Sequence, residues 1–422
     1  MFSVSMILIT SCDKIDKQSG KFIRMDIEDA KTLFIASSES GSKMYGVKKT
    51  SSKSTSEMDG EIYEISYLDG NGEQIEKNNP THIFDAGDFV IVIFVDWILG
   101  WEAYFVRKSD GLVYAIPEDY MPLVPDYISP SWQDRLFGFV GNIQLDKNKN
   151  IYYTDHFKHP TTLYKVSSIA SSKIQFSGVS AVNDNVRGFC VDDEGQIVYA
   201  HSTVYSTDYL MRYRKVDGSF VDMTIYNYDT DDCIESIWKG TDGLMYGFIH
   251  NGRDNPNVCL IKIQDGQITK IRDAYLFVSQ GEFSARNTFR VQGRIIYSIP
   301  SNIYPWYIID ISNESLYQEI RTTVQPNMVV NDQLCYFDDK AFSCTLVDID
   351  TGETSLLYDL DESRLGNYDI DKIMSVTDSG VVFSAVRLSD GNYVVAKIGL
   401  DNSVTIQQTI EGNVTVVMPL NI

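Results

Sequence analysis

Long helical periodicity is absent from this 422-residue chain outside the short stretch 121–135, and no two of its apolar runs suggest a strand–helix–strand unit. That excludes a doubly wound nucleotide-binding fold. The common catalytic signatures are missing as well. The sequence contains no HExxH, no G-x-S-x-G, no phosphate-binding loop and no dinucleotide glycine fingerprint.

Metal-type cysteine spacings are also missing. The six cysteines contain no CxxC pair, which argues against a zinc framework, and we expect neither a metal nor a cofactor. Cys335 and Cys344 flank a predicted hairpin. A disulfide across that hairpin in an oxidising compartment is one alternative, and a pair of buried free thiols is the state that we favour.

Positive charge is scarce. Lys and Arg number 36 against 58 Asp and Glu, the formal net charge is −22, and no basic run offsets it. Such a surface repels a phosphate backbone, so we expect no nucleic-acid partner. The acidity is interpreted as a means of keeping the surface soluble.

Aromatic and apolar residues, by contrast, are plentiful. Hydrophobic residues make up 43% of the chain, and Tyr (26) and Phe (20) are frequent. Both aromatic residues favour the half-buried surface of a strand. The composition is therefore that of a globular protein with a large, strand-rich core.

One repeated element is a short apolar strand that ends in a polar turn. The turn residues Asp217, Asp265 and Asn313 each lie 48 positions after the one before. Asp265 is followed by Gly266, and Asp-Gly between alternating hydrophobic residues is the strongest short-range signal for a hairpin with a type I′ turn. The regular spacing indicates an internal repeat.

A second repeated element precedes each of these strands. It is a polar turn followed by an apolar strand with an aromatic residue near its centre, as at Tyr199, Tyr246, Tyr297, Tyr336 and Phe383. Each period thus holds about four short strands in a meander, which is the content of one blade of a β-propeller.

The two elements together predict an all-β propeller of about eight four-stranded blades, with seven as the alternative. The eight repeats are expected near residues 33–76, 81–117, 136–178, 185–225, 233–273, 282–321, 326–359 and 369–410. Residues 121–135 carry three prolines and are expected to form an inserted loop. The strand after the eighth repeat, near residues 414–420, is expected to pair with the N-terminal strands and close the ring.

The N-terminus suggests a lipid anchor. Residues 1–11 form an apolar run that ends in small residues directly before Cys12. This resembles the lipobox of bacterial lipoproteins, which implies cleavage before Cys12 and acylation of its thiol. Residues 12–30 would then carry the lipid and act as a tether, and residues 31–422 would form a single propeller domain.

Taken from Lys31 to the end, the repeat pattern looks like that of the extracytoplasmic β-propeller lipoproteins common in Bacteroidetes. The resemblance implies a cell-envelope protein held to the outer membrane by its lipid alone, on the periplasmic side or at the cell surface. Propellers of one shape carry many functions, so the fold by itself fixes no chemistry.

Three histidines follow second strands in successive repeats, namely His156, His201 and His250. The arrangement resembles that of certain propeller polysaccharide lyases and would allow a lyase or hydrolase that uses them with Asp155 or Asp254. Their offsets from the strand aromatic differ, so alternation would point them to different faces. We therefore favour ordinary polar loop histidines, with the enzyme as the alternative.

The connections between second and third strands are also rich in aromatic and polar residues that could bind a ligand. These are Trp97, Trp101, Tyr205, Arg253, Tyr304 and Trp306. Aromatic rings stack on sugar faces or peptide side chains, although some of these rings could instead pack between blades. The leading hypothesis is a module that binds a glycan, a peptide or an envelope protein. A structural subunit of an outer-membrane complex is a third possibility.

Overall fold

The computed structural model describes most of the chain between residues 23 and 420. The described ranges are 23–49, 58, 60–75, 79–96, 100–122, 143–155, 161–170, 173–202, 209–223, 233–250, 258–274, 288–299 and 306–420. Within them, regular structure consists of antiparallel strands and two short 3₁₀ turns, at Glu118–Tyr120 and Glu362–Leu365.

The strands form nine sheets, of which eight have four strands and one has three. The three-stranded sheet contains β1 (Arg24–Met25), β5 (Tyr67–Leu68) and β6 (Gln74–Ile75). Blade 1 contains β2 (Ala30–Ser38), β3 (Gly41–Lys48), β4 (Ile62–Glu64) and the last strand, β35 (Asn413–Pro419).

The other seven blades are each built from four consecutive strands. Blade 2 has β7 (Pro80–Ala86), β8 (Phe89–Asp96), β9 (Gly100–Arg107) and β10 (Val113–Ile116); blade 3 has β11 (Ile143–Leu145), β12 (Ile151–Thr154), β13 (Leu163–Ala170) and β14 (Lys173–Gly178). Blade 4 has β15 (Asn185–Val191), β16 (Ile197–Ser202), β17 (Tyr209–Arg214) and β18 (Phe220–Met223); blade 5 has β19 (Cys233–Lys239), β20 (Met245–His250), β21 (Val258–Gln264) and β22 (Gln267–Ala274). Blade 6 has β23 (Thr288–Val291), β24 (Arg294–Ser298), β25 (Trp306–Asp310) and β26 (Gln318–Thr322); blade 7 has β27 (Met328–Val330), β28 (Gln333–Asp338), β29 (Ser343–Val347) and β30 (Thr354–Asp359). Blade 8 has β31 (Tyr368–Thr377), β32 (Gly380–Arg387), β33 (Tyr393–Gly399) and β34 (Val404–Ile410).

The ring is closed by pairing between the two ends of the chain. Strand β35 pairs antiparallel with β2, and Val416 lies opposite Ile35. The innermost strand of blade 1 therefore comes from the C-terminus, as the sequence predicted. Closure of this kind pairs the inner edge of β2 and gives blade 1 its fourth strand.

The core is divided among the interfaces between blades. Eight clusters of buried hydrophobic side chains each join two blades that follow one another around the ring. Between blades 3 and 4, for example, Tyr152 packs with Phe189 and Tyr199. The all-β propeller predicted from the repeats is thus confirmed.

The number of sheets differs from the expected count. The structure has nine, against about eight or seven from the repeats, because the expected first repeat, residues 33–76, contributes to two sheets. Its first three strands join blade 1, whereas its fourth, β5, pairs with β1 and its fifth, β6, pairs with β5. Folded chain also reaches further toward the N-terminus than residue 31, since Met25 and Ile27 are buried.

The type I′ hairpin turn predicted from the sequence is confirmed between β21 and β22. Asp265 and Gly266 have φ values of 54° and 76° and join Gln264 directly to its partner Gln267. Both central residues of a type I′ turn need positive φ. The turn therefore fixes the register of the outer hairpin of blade 5.

The two cysteines of the predicted hairpin are both buried. Cys335 and Cys344 lie on the adjacent strands β28 and β29 as buried free thiols, the state that we favoured. In the part of the chain that the structure describes, no helix is long and apolar enough to cross a membrane. The expected inserted loop lies mostly in residues 123–142, outside the described residues.

Candidate functional site

The meander of each blade sorts its connections between two ends of the ring. The turns after first and third strands lie at one end, and the loops after second strands and between blades lie at the other. We call the latter end the loop rim. Among the described residues it carries the segments 179–184, 323–327, 339–342 and 388–392.

Most of the predicted ligand-binding and catalytic candidates lie outside the described residues. They are Trp97, His156, Tyr205, Arg253 and Tyr304, and the proposed lipidation site Cys12 is likewise outside. His250 is the last residue of β20, where its backbone pairs with Cys233, and its side chain is not among those described.

The two remaining aromatic candidates do not form one face. Trp101 is partly buried and packs against the hydrophobic cluster between blades 2 and 3. Trp306 begins β25 in blade 6 and is half-buried. Because blades 2 and 6 lie on opposite sides of the ring, the structure does not bring these two rings together. For Trp101, packing between blades is the better interpretation.

Of the candidates whose side chains the structure describes, His201 is the one that lies in a cluster of polar side chains. Its side chain is only 2% exposed, and Nδ1 lies 3.2 Å from Oδ1 of Asp184. The other carboxylate oxygen of Asp184 accepts hydrogen bonds of 2.7 Å from Tyr199 Oη and 2.7 Å from Arg212 Nη1. Nε of Arg212 in turn donates to Asp222 at 2.6 Å.

The local fold explains why these side chains meet. Tyr199 on β16 lies directly opposite Arg212 on β17, and His201 follows Tyr199 by two residues, so all three face blade 3. Asp184 ends the loop between blades 3 and 4, where its backbone N–H donates to the carbonyl of Ala181. The same loop is fixed by Tyr199, whose Oη accepts from the Ala181 N–H at 3.1 Å.

Burial sets the protonation state of this cluster. It lowers the pKa of His201, the carboxylate of Asp184 opposes that effect, and the guanidinium of Arg212 adds to it. The imidazole is therefore neutral at pH 7. Within the described residues, neither ring nitrogen of His201 makes a hydrogen bond, although the carboxylate of Asp184 is within contact distance.

A buried neutral imidazole beside a carboxylate can act in two ways. It can accept or donate a hydrogen bond to a ligand, or it can take up a proton as a general base oriented by the carboxylate. The described side chains contain no group of three His, Cys, Asp or Glu residues placed to hold a metal ion. The chemistry available from the described residues is thus hydrogen bonding, charge pairing and proton transfer.

Sequence reasoning found His201 but missed Asp184 and Arg212. Asp184 stands in Asn183-Asp184-Asn185, which is typical of an ordinary loop. A usable signal was present in β17, where Arg212 and Arg214 alternate with buried residues. Charged residues at every second position on a face that packs against a neighbouring blade are unusual and mark a polar interface.

Comparison with known proteins gives distant structural likenesses only. No family model matches the chain, and no curated protein does. A catalytically inactive virginiamycin B lyase from Staphylococcus aureus is 11% identical, with a TM-score of 0.28 over 86% of this chain and 95% of that one. The β-propeller domain of the Trilobed protease from Pyrococcus furiosus is 9% identical, with a TM-score of 0.39 over 78% and 97%.

A prolyl endopeptidase structure is 10% identical, with a TM-score of 0.42 over 80% of this chain and 49% of that one. Likenesses at this level bear on nothing beyond the fold, and the assignment depends on the sheets and cores described above. By that evidence the chain is a β-propeller protein.

Proposed function

We propose that this propeller is an extracytoplasmic binding module, anchored through Cys12 to the outer membrane, that takes a glycan, a peptide or an envelope protein at its loop rim. The observation that carries the proposal is the cluster around His201, which combines a deeply buried imidazole with two charged side chains at that rim. The anchor is supported by the lipobox-like residues before Cys12.

The free-energy cost of burying the His201 imidazole without a hydrogen bond favours a ligand. A buried polar atom without a hydrogen bond costs about 1–3 kcal/mol, and native structures keep few of them. Fold stability alone would be served by an apolar residue at position 201, because its neighbours Val186 and Tyr199 belong to a hydrophobic cluster. A ligand group that bonds to the imidazole would recover that cost in the bound state.

A binding screen tests the proposal. The domain from Ser19 onward would be applied to glycan and peptide arrays beside the variants His201→Phe and Arg212→Met. We expect at least one ligand whose binding both substitutions weaken tenfold or more. The control Lys340→Ala alters an exposed lysine in a different loop of the same rim and should bind as the parent does. Equal binding by all variants would contradict a site at His201.

A second candidate is a carbohydrate-active lyase or hydrolase, favoured by the 3.2 Å approach of His201 to Asp184. Such a pair can position a general base. Turnover of an array ligand, abolished by His201→Ala and reduced by Asp184→Asn with a shifted pH profile, would establish it. Binding without turnover would leave the binding module as the function.

A further inference from the structure

A second group of cations lies in the same interface between blades 3 and 4, toward the end opposite the loop rim. Arg214 follows Arg212 by two residues on β17 and therefore also faces blade 3. It lies next to the turn at 215–219 and directly opposite Phe220 on β18. From blade 3, Lys165 lies opposite Tyr152, whose side chain packs in the same interface.

The charges of this region do not balance. Arg212 is paired with Asp184 and Asp222. For Arg214 and Lys165, in contrast, the described residues provide no carboxylate within ion-pair distance. The nearest candidate, Asp217, uses its Oδ1 to accept from the backbone N–H and hydroxyl of Ser219.

Lys165 lies over an aromatic ring of this interface, with Nζ 5.5 Å from the centre of the Tyr152 ring. Arg214 is half-buried, and burial lowers the pKa of its guanidinium, whereas the exposed carboxylate of Asp217 opposes that effect from beyond ion-pair distance. A partly buried guanidinium whose counter-charge is an exposed carboxylate beyond ion-pair distance is costly, and an anion that entered the interface would offset that cost.

An exposed aromatic ring completes the feature. Phe220 is 41% exposed although it is a large hydrophobic side chain. Its ring meets Tyr199 edge-on at a centroid distance of 6.5 Å, and the Arg212 guanidinium lies 5.9 Å from its centre. One side of the ring thus contacts Tyr199 and Arg212, and Arg214 is the residue directly opposite Phe220 on the adjacent strand.

We propose that this inter-blade surface, formed by Lys165, Arg214 and Phe220 beside the buried Tyr152, binds an acidic saccharide of the hexuronate class. The carboxylate would accept from Arg214 and Lys165, and the apolar face of the pyranose ring would stack on Phe220. The protein's net charge of −22 repels long polyanions, so the occupant is a single residue or a short oligomer.

Calorimetry in low-salt buffer free of phosphate and sulfate tests this site on the folded chain. D-Glucuronate, D-glucose and acetate are titrated in turn. We expect binding of glucuronate that exceeds binding of acetate at least tenfold, and no binding of glucose. Arg214→Gln and Lys165→Gln should each weaken glucuronate tenfold or more, because each removes one charge from the carboxylate.

The matched control is Arg290→Gln, which neutralises an exposed arginine on β23 and should leave affinity unchanged. Since Arg214 has no ion pair to lose, Arg214→Gln should unfold at the same temperature as the parent or higher. Absence of glucuronate binding, or equal binding by Arg214→Gln, would overturn the proposal. Equal affinity for acetate and glucuronate would show that the site recognises only a carboxylate, and would overturn the assignment of a saccharide ligand.

Discussion

The imidazole of His201 and the carboxylate of Asp184 are brought to 3.2 Å by a loop that joins two blades, and both side chains are more than nine-tenths buried. They lie 17 positions apart in the chain. The contact itself is set within blade 4, because Asp184 directly precedes its first strand and is oriented by Tyr199 of its second, whereas the burial of the pair depends on blade 3, which packs against that face. The integrity of this interface and the protonation of His201 are therefore linked.

That linkage predicts a pH dependence of stability. Burial lowers the pKa of His201 in the folded protein from its ordinary value of 6.5. The unfolded chain thus binds more protons than the folded one near and below pH 6.5, so the contribution of His201 is complete above that pH and is lost as the pH falls. The slope from one such group is at most about 1.4 kcal/mol per pH unit.

Urea unfolding between pH 7.5 and 5.0 measures this slope. The parent should lose stability more steeply than His201→Gln, which keeps a polar side chain that does not titrate. Parallel curves for the parent and His201→Gln would show that the imidazole does not couple to folding.

Gly266→Val should destabilise the protein by about 1–3 kcal/mol, because a β-branched residue is forced to positive φ. The new Cβ would also lie 3.2 Å from the Tyr213 ring and 3.3 Å from Val221. Gly293 has a similar φ of 70° in open space, so Gly293→Val shares the backbone strain without the contacts and should cost less. Thermal unfolding compares the two, and equal losses would mean that the packing around Gly266 is tolerant.

The buried ion pair between Arg294 and Asp310 should matter more than a pair at the surface. Asp310 is fully buried and accepts from the Arg294 guanidinium and from the backbone N–H of Ser312. Asp310→Ala leaves those donors without their acceptor and should lower the free energy of unfolding by about 3 kcal/mol or more. Asp390→Ala, which removes the partner of Arg387 at the surface, should cause no measurable change in denaturant unfolding. Similar losses in both variants would contradict the ranking by burial.

Cys12→Ala should abolish acylation while the propeller stays folded. Metabolic labelling with a fatty-acid analogue should mark the parent and not the variant, and the variant should move from the membrane fraction to the soluble one. Cys190→Ala serves as the control because that thiol is buried, and burial raises its pKa to about 12. Equal labelling of Cys12→Ala and the parent would remove the anchor from the proposed function.

The propeller was predictable because its repeats leave local signals. The turn at Asp265 and Gly266 and the aromatic residues at Tyr199 and Tyr297 are set by backbone sterics and strand burial, which act within a few residues. The three-stranded sheet was not predictable. Two of its strands, Arg24–Met25 and Gln74–Ile75, are too short to show periodicity.

The candidate site was predictable only in part for a different reason. His201 could be placed at the end of a second strand, but its burial depends on the neighbouring blade, and its contact with Asp184 depends on the path of the loop before β15. Likewise, the sequence left two interpretations of Trp101, a binding face and packing between blades, and the structure places it partly buried against the cluster between blades 2 and 3. Whether a residue at a blade's edge faces solvent or the next blade is decided by tertiary packing, which the local pattern does not contain.

Strand β35 has a consequence for the time course of folding. The hydroxyl of Thr415 reaches the carbonyl of Ile35 across 380 positions of chain, whereas the other seven blades pair strands that are consecutive. Each doubling of such a loop adds only about 0.6 kcal/mol of entropic cost, so the long separation along the chain lowers the equilibrium stability of the fold only slightly. Kinetically it is not neutral, because blade 1 cannot receive its innermost strand until the C-terminus has emerged from the ribosome or the translocation channel. The first strands made are then the last to complete a blade, and β2 keeps an open edge through that interval, when a folding assistant or another copy of the chain could pair with it.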